Sequence, residues 1–162
     1  MHVHQVLSRA VIGTAAIAAT LLFATAGEAS AVTKMSQSAA ASKLAAAGIT
    51  HSSSGGCTTR SNPACTSYEQ INTGTVGQAI TFRNSNGCAM NITGGTEVGH
   101  APGTYSHYNG YKIDISHNTC NNSYIKNSFT YIGPRGDGYP QWKSAAGNLY
   151  CDEGSHWDIT YF

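Results

Sequence analysis

Charge is the scarcest ingredient of this 162-residue chain. Only 10% of its residues are Asp, Glu, Lys or Arg, against about 25% in an ordinary soluble domain. Nine Lys+Arg and eight Asp+Glu leave a net charge of +1. Phosphate neutralisation needs clustered cations, so this balance excludes a nucleic-acid partner held by a basic surface. It equally excludes a charge-dense disordered chain. No two of the five cysteines are spaced by two to four residues, which removes a zinc finger. No repeat period is visible, and the length suffices for one domain rather than two. What is present is a 41% hydrophobic fraction, enough for a single modest core, with 18 glycines, nine tyrosines and seven histidines. Glycine and tyrosine at this level favour turns and strands over long helices.

Residues 1–31 have the order of a secretory signal: positive charge at Arg9, an Ala-rich apolar run of about 17 residues, then Ala29-Ser30-Ala31 as a small-x-small cleavage site. That run is at the short limit for spanning a bilayer. The expected mature chain is 32–162, secreted or cell-wall associated, with no membrane attachment after cleavage and an oxidising surrounding. All five cysteines lie in it. Five is odd, so at most two bridges form and one thiol remains. Cys57 and Cys65, with Asn62-Pro63 turning the chain between them, are the first expected pair. Cys88 with Cys120 is the second, leaving Cys151 free; Cys120 with Cys151 is the main alternative.

Residues 32–56 read as an Ala/Ser/Gly-rich N-terminal segment or linker, with a short helix over 35–47, and the compact domain is expected at 57–162. Thr66 and Glu69 match a capping box, predicting a helix that buries Tyr68, Ile71, Ala79 and Ile80 and ends at Asn86-Gly87. Strands are expected over 89–93, 111–116, 129–132, 148–151 and 156–161. Two of them alternate cleanly. Tyr111, Ile113 and Ile115 share one face and Lys112, Asp114 and Ser116 the other; Trp157, Ile159 and Tyr161 oppose His156, Asp158 and Thr160. The expected class is α+β, with an N-terminal helix packed on a mainly antiparallel sheet that carries a zinc site.

The chemistry-bearing residues are His107, Asp114, Glu153 and His156. Two imidazoles and one carboxylate make a three-ligand zinc site with a fourth position open to water. Zinc acidifies that water and polarises a carbonyl, while Glu153 is placed to accept a proton and pass it to a leaving amine. Taken singly, each residue also reads as an ordinary polar surface group; their alternation on two strands is what raises the zinc reading. His100, seven residues before His107, is expected to line the cleft or act as an electrophile rather than serve as a fourth ligand, because a catalytic zinc needs its open position. Tyr105, Tyr108, Tyr139 and Trp142 are candidates to flank the cleft and stack on sugar or peptide. Asp158 is a candidate to orient a liganding imidazole.

The run Ser106-His107-Tyr108-Asn109-Gly110-Tyr111-Lys112-Ile113-Asp114-Ile115, followed by Glu153-Gly154-Ser155-His156-Trp157-Asp158-Ile159, resembles the two signatures of the zinc D-Ala-D-Ala metallopeptidases. That superfamily includes the vancomycin-resistance peptidases and the hedgehog signalling domain. Residues 55–162 are also similar to small secreted actinobacterial proteins that carry this constellation. The resemblance implies zinc on His107, Asp114 and His156, Glu153 as general base, and a peptidoglycan peptide as the substrate of a carboxypeptidase or endopeptidase. A monomer is expected. Two departures stand out. Ser106 directly precedes His107 where the signature has one more residue, although the His-to-Asp interval of seven is kept. The stretch 92–98 lacks the Arg with which many such carboxypeptidases bind a terminal carboxylate, leaving Arg83 or Arg135 to substitute. Two rival readings are a zinc-stabilised binding module without catalysis and a disulfide-stabilised secreted interaction protein without metal.

Overall fold

The computed structural model describes residues 32–162 together with Met1. The signal segment expected over 1–31 falls outside that range. In chain order the elements are β1 (Lys34–Met35), α1 (Gln37–Ala46), β2 (Ile49–His51), β3 (Ile71–Asn72), α2 (Thr73–Asn86), β4 (Met90–Gly94), β5 (Lys112–Ser116), α3 (Thr119–Ser128), β6 (Thr130–Pro134), β7 (Pro140–Lys143), β8 (Leu149–Asp152) and β9 (His156–Thr160). The fold is α+β. Seven strands form one sheet in the order β2-β4-β5-β9-β8-β7-β6, and β1 and β3 form a separate antiparallel pair. Among the described residues only β2 runs parallel to its neighbour, β4. Among the described residues no helix is long and apolar enough to cross a membrane.

Strand alternation sorts the sheet into two unlike faces. Ile92, Ile113, Ile115, Tyr150, Trp157 and Ile159 are buried with Ala40 and Leu44 from α1, Val76, Ala79 and Phe82 from α2, and Ile125 from α3. The helices therefore cover this face. The other face, by the same registers, carries Gly94, Asp114, Asp158 and Cys151 side by side. Among the described residues no helix packs on it, and loops carrying His100, His107 and Asp137 line its cavity instead.

The N-terminal segment is part of the body rather than a linker ahead of Cys57. Ser36 caps α1 by accepting the Ala39 N–H, Ala40 and Leu44 enter the common core, and Ile49 pairs with Met90. The compact fold thus begins at β1, because α1 buries Ala40 and Leu44 in the common core and β2 extends the sheet beside β4. The helix expected from Thr66 begins instead at Thr73. The Thr66 hydroxyl donates to the Ser52 and Thr93 carbonyls, and Glu69 accepts from the Gln37 N–H; both halves of the capping box are spent on tertiary contacts. Its C-terminus is as expected, with Gly87 in the left-handed region, where glycine carries no Cβ penalty.

Helix α3 and strand β7 had no sequence expectation. α3 is polar and gains its place from outside itself. Asn118 caps it through the Asn121 N–H, Cys120 bridges to Cys88, and Asn122 accepts from the Trp157 indole. The second bridge joins Cys57 to Cys65. Cys151 is the free thiol, buried on β8, and its burial pushes its pKa up to about 12.

Candidate metal centre

Asp114 sits at the middle of β5, with Gly94 opposite on β4 and Asp158 opposite on β9. Only a glycine fits across from it: a Cβ on residue 94 would lie 2.3 Å from Asp114 Oδ2. Gly95 is equally constrained, since a Cβ there would lie 1.9 Å from the Ser67 carbonyl oxygen. This tight approach lets one short turn orient two histidines. The Gly95 carbonyl accepts from His107 Nδ1 at 2.7 Å. The Gly95 N–H and the Ser67 N–H both donate to Glu97, whose carboxylate meets His100 Nε2 at 3.0 Å.

With Nδ1 committed, His107 presents Nε2 to Asp114 Oδ1 at 3.2 Å. His156, the first residue of β9, has Nδ1 against the Ser155 hydroxyl and Nε2 3.7 Å from the same Oδ1. His100 turns Nδ1 towards Asp114 Oδ2 at 3.8 Å, its ring stacked on that of His107 with centroids 3.8 Å apart. Glu153 lies in the turn before β9, with Oε2 3.3 Å from His156 Nε2. These residues share a cavity of about 450 Å³, which Lys112, Arg135, Asp137, Tyr139 and Asp158 also line.

Whether the cluster suits a cation can be judged from Asp114 Oδ1, which is buried and has no hydrogen-bond partner. A neutral His107 that donates through Nδ1 has only a lone pair at Nε2. Two acceptors then face each other at 3.2 Å, an arrangement that needs a positive charge between or upon them. His100, His107 and Asp114 each offer one donor atom, all within 4.8 Å of one another, and this group can hold a metal ion. Mixed nitrogen and oxygen donors suit zinc better than calcium or magnesium, which favour oxygen alone. Each histidine has its other nitrogen fixed by a carbonyl, a carboxylate or a hydroxyl, as liganding histidines do.

Without metal, a proton supplies the charge. Burial works to lower the His107 pKa, but contact with Asp114 and the charges of Asp114 and Asp158 outweigh it, so the imidazole titrates above its ordinary value. Burial likewise works to raise Asp114, and the facing histidines, His107 first, overcome it and hold the carboxyl below the usual range. The stability from Asp114 is present above about pH 4 and is lost as pH falls through its lowered pKa; that from His107 is full below about pH 6.5 and is lost as pH rises through its raised pKa. Melting temperature in the presence of a chelator is therefore expected to peak between roughly pH 4 and 6.5. Added zinc, replacing the proton, is expected to abolish the decline above that window. Parallel melting curves with and without zinc from pH 5 to 9 would count against a cation site.

Several expected residues lie elsewhere. Trp142 is on the helix-covered face, paired with Tyr150 and packed against Trp157 and Tyr131; the register of β7 turns it away from the cavity. Tyr105 is exposed and packs on Tyr111 and Phe162. Tyr108 is exposed with Arg60 stacked over its ring, lining a neighbouring hollow with His100. Of the four aromatics, only Tyr139 lines the main cavity. Asp158 does not orient an imidazole: Lys112 Nζ donates to both its oxygens at 2.9 Å and Arg135 at 3.3 Å, leaving His107 Nε2 at 3.9 Å. Arg135, carried by the β6–β7 hairpin, also binds Asp137 and Glu153. Arg83 is in α2, on the helix side. Glu97 had no sequence expectation, although its place three residues before His100 was the available signal. Comparison of the chain with protein-family models, with curated proteins and with solved structures gives no match.

Proposed function

We propose that this chain is a secreted zinc-dependent peptidase acting on peptidoglycan peptides, akin to the D-Ala-D-Ala metallopeptidases. The observation that carries the proposal is the approach of His107 and His156 to one buried, unpartnered oxygen of Asp114, with Glu153 beside His156. His107, Asp114 and His156 are the residues that would hold the ion. When bound, zinc supplies Lewis acidity towards a carbonyl and makes water acidic enough to attack near neutral pH.

The remaining work falls to the chain's own side chains. Glu153 accepts the proton of the attacking water and returns it to the leaving amine. Its carboxylate is steadied by Arg135, so one oxygen is fixed while the other faces His156. Arg135, rather than Arg83, lies in the cavity wall with Lys112, but both cations are engaged by Asp137, Glu153 and Asp158, so a terminal carboxylate would have to displace one of those partners. Two disulfides support an oxidising, extracellular setting for the reaction.

A second reading, a zinc-stabilised module without catalysis, is favoured by the third imidazole, His100, beside Asp114. Digestion of purified peptidoglycan by the zinc-loaded chain, with mass analysis of the products, separates the two. Released D-alanine or shortened crosslinks, absent after chelation and restored by zinc, are expected. Intact peptidoglycan with one zinc per chain would leave the module reading instead.

A further inference from the structure

His100 carries more of a ligand's features than a cleft-lining residue requires. Its Nε2 meets Glu97, a carboxylate that is itself 2% exposed and held by two backbone N–H groups. That carboxylate–histidine pairing is the usual outer support of a metal-bound imidazole. It leaves Nδ1 aimed at Asp114 Oδ2, 3.8 Å away. Bonds of about 2.1 Å in a tetrahedron place donor atoms about 3.4 Å apart. His107 and His156 stand 3.2 and 3.7 Å from Asp114 Oδ1 and His100 stands 3.8 Å from Oδ2. The donor atoms of His100, His107 and Asp114 all lie within 4.8 Å of one another, whereas His156 falls outside that mutual range and joins the group through Asp114.

We propose that His100 Nδ1 is a fourth protein ligand in the substrate-free protein and is the one that yields when an exogenous ligand binds. The proposal rests on the zinc reading above and goes beyond its three-ligand set. His107 cannot be the ligand that yields: it is 3% exposed and tied to Gly95. His100 is half-buried, and the loop that carries it has Gly99 and Gly103 at φ 108° and 150°, conformations open to glycine and strained for other residues. These glycines bracket His100 between β4 and β5, where the backbone is not paired into the sheet. The protein would thus rest with its coordination closed and open only in exchange for a ligand that outcompetes a tethered imidazole.

The test uses cobalt in place of zinc and azide as the probe, read from the visible cobalt spectrum without any turnover. The wild-type chain is compared with His100→Phe, which keeps a ring to stack on His107 but removes the nitrogen, and with His100→Ala. Circular dichroism checks that each variant folds. A tethered ligand that fills the position nine-tenths of the time raises the azide half-saturation about tenfold, and linkage demands a matching gain in metal affinity. The expected result is one cobalt per chain in all three proteins. Azide half-saturation should be about tenfold lower in both variants, and cobalt affinity about tenfold weaker. Equal azide and cobalt affinities in wild type and variants overturn the role of His100 and leave the zinc reading standing. A wild-type chain that binds neither cobalt nor zinc overturns both.

Discussion

Glu153→Ala is expected to lower peptidoglycan-peptide hydrolysis by about 10²–10⁴-fold, the usual contribution of a positioned general base, while one zinc stays bound per chain. The two readouts separate because Glu153 is not among the proposed ligands. It lies in a turn closed by its own N–H to the His156 carbonyl, so the backbone path survives the substitution. Arg135 loses one partner but keeps Asp137 and Asp158, and no buried cation is stranded. Zinc content by mass spectrometry and turnover on the same preparation give the result. Retained turnover would remove Glu153 from the proton-transfer role; loss of zinc along with activity would make it a ligand or a support instead.

Gly95→Ala is the substitution expected to do most damage to the architecture of the site, whatever its chemistry. A Cβ at residue 95 would stand 1.9 Å from the Ser67 carbonyl oxygen, which is backbone and also accepts the Thr96 N–H at 2.7 Å. Neither side of that contact can rotate aside as a side chain would. The turn must open, and with it go the Gly95 carbonyl that aims His107 and the Gly95 N–H that holds Glu97. A loss of about 3 kcal/mol of stability is expected, at the upper end for overpacking, with zinc affinity about 10–100-fold weaker. Thermal melting and a zinc competition assay measure the two. Gly136→Ala is the control, since nothing lies within 4 Å of a Cβ there. If Gly95→Ala melted and bound zinc like the control, the 94–97 turn would not be what aims these histidines.

The legible parts of the fold are those that depend on local geometry. The alternation in β5 and β9 placed Asp114 and His156 on the less apolar face, and both are there. The ends of α1 and α2 followed from glycines at 48 and 87, which adopt positive φ. The start of α2 was misread because Thr66 and Glu69 are a capping box in spacing only; their side chains answer to Ser52, Thr93 and Gln37, which are remote in sequence. α3 escaped notice for a related reason. Its helix is polar along most of its length, and a disulfide, one buried isoleucine and an indole bond secure it. Hydrophobic periodicity does not register such support.

The amino-acid order alone determined which side of β5 and β9 Asp114 and His156 occupy, because side-chain alternation is a property of the strand itself. It also determined that two cysteine pairs were available and one thiol was spare. Tertiary structure decided the rest. It set β9 beside β5, so that His156 meets Asp114; folded the β6–β7 hairpin so that Arg135, not Arg83, reaches the cavity; turned Trp142 to the opposite face; and brought His100 against His107 through a buried glutamate. Strand order, hairpin placement and loop contacts are settled by which surfaces pack together and which backbones can approach, and that competition is played out between segments far apart in the chain.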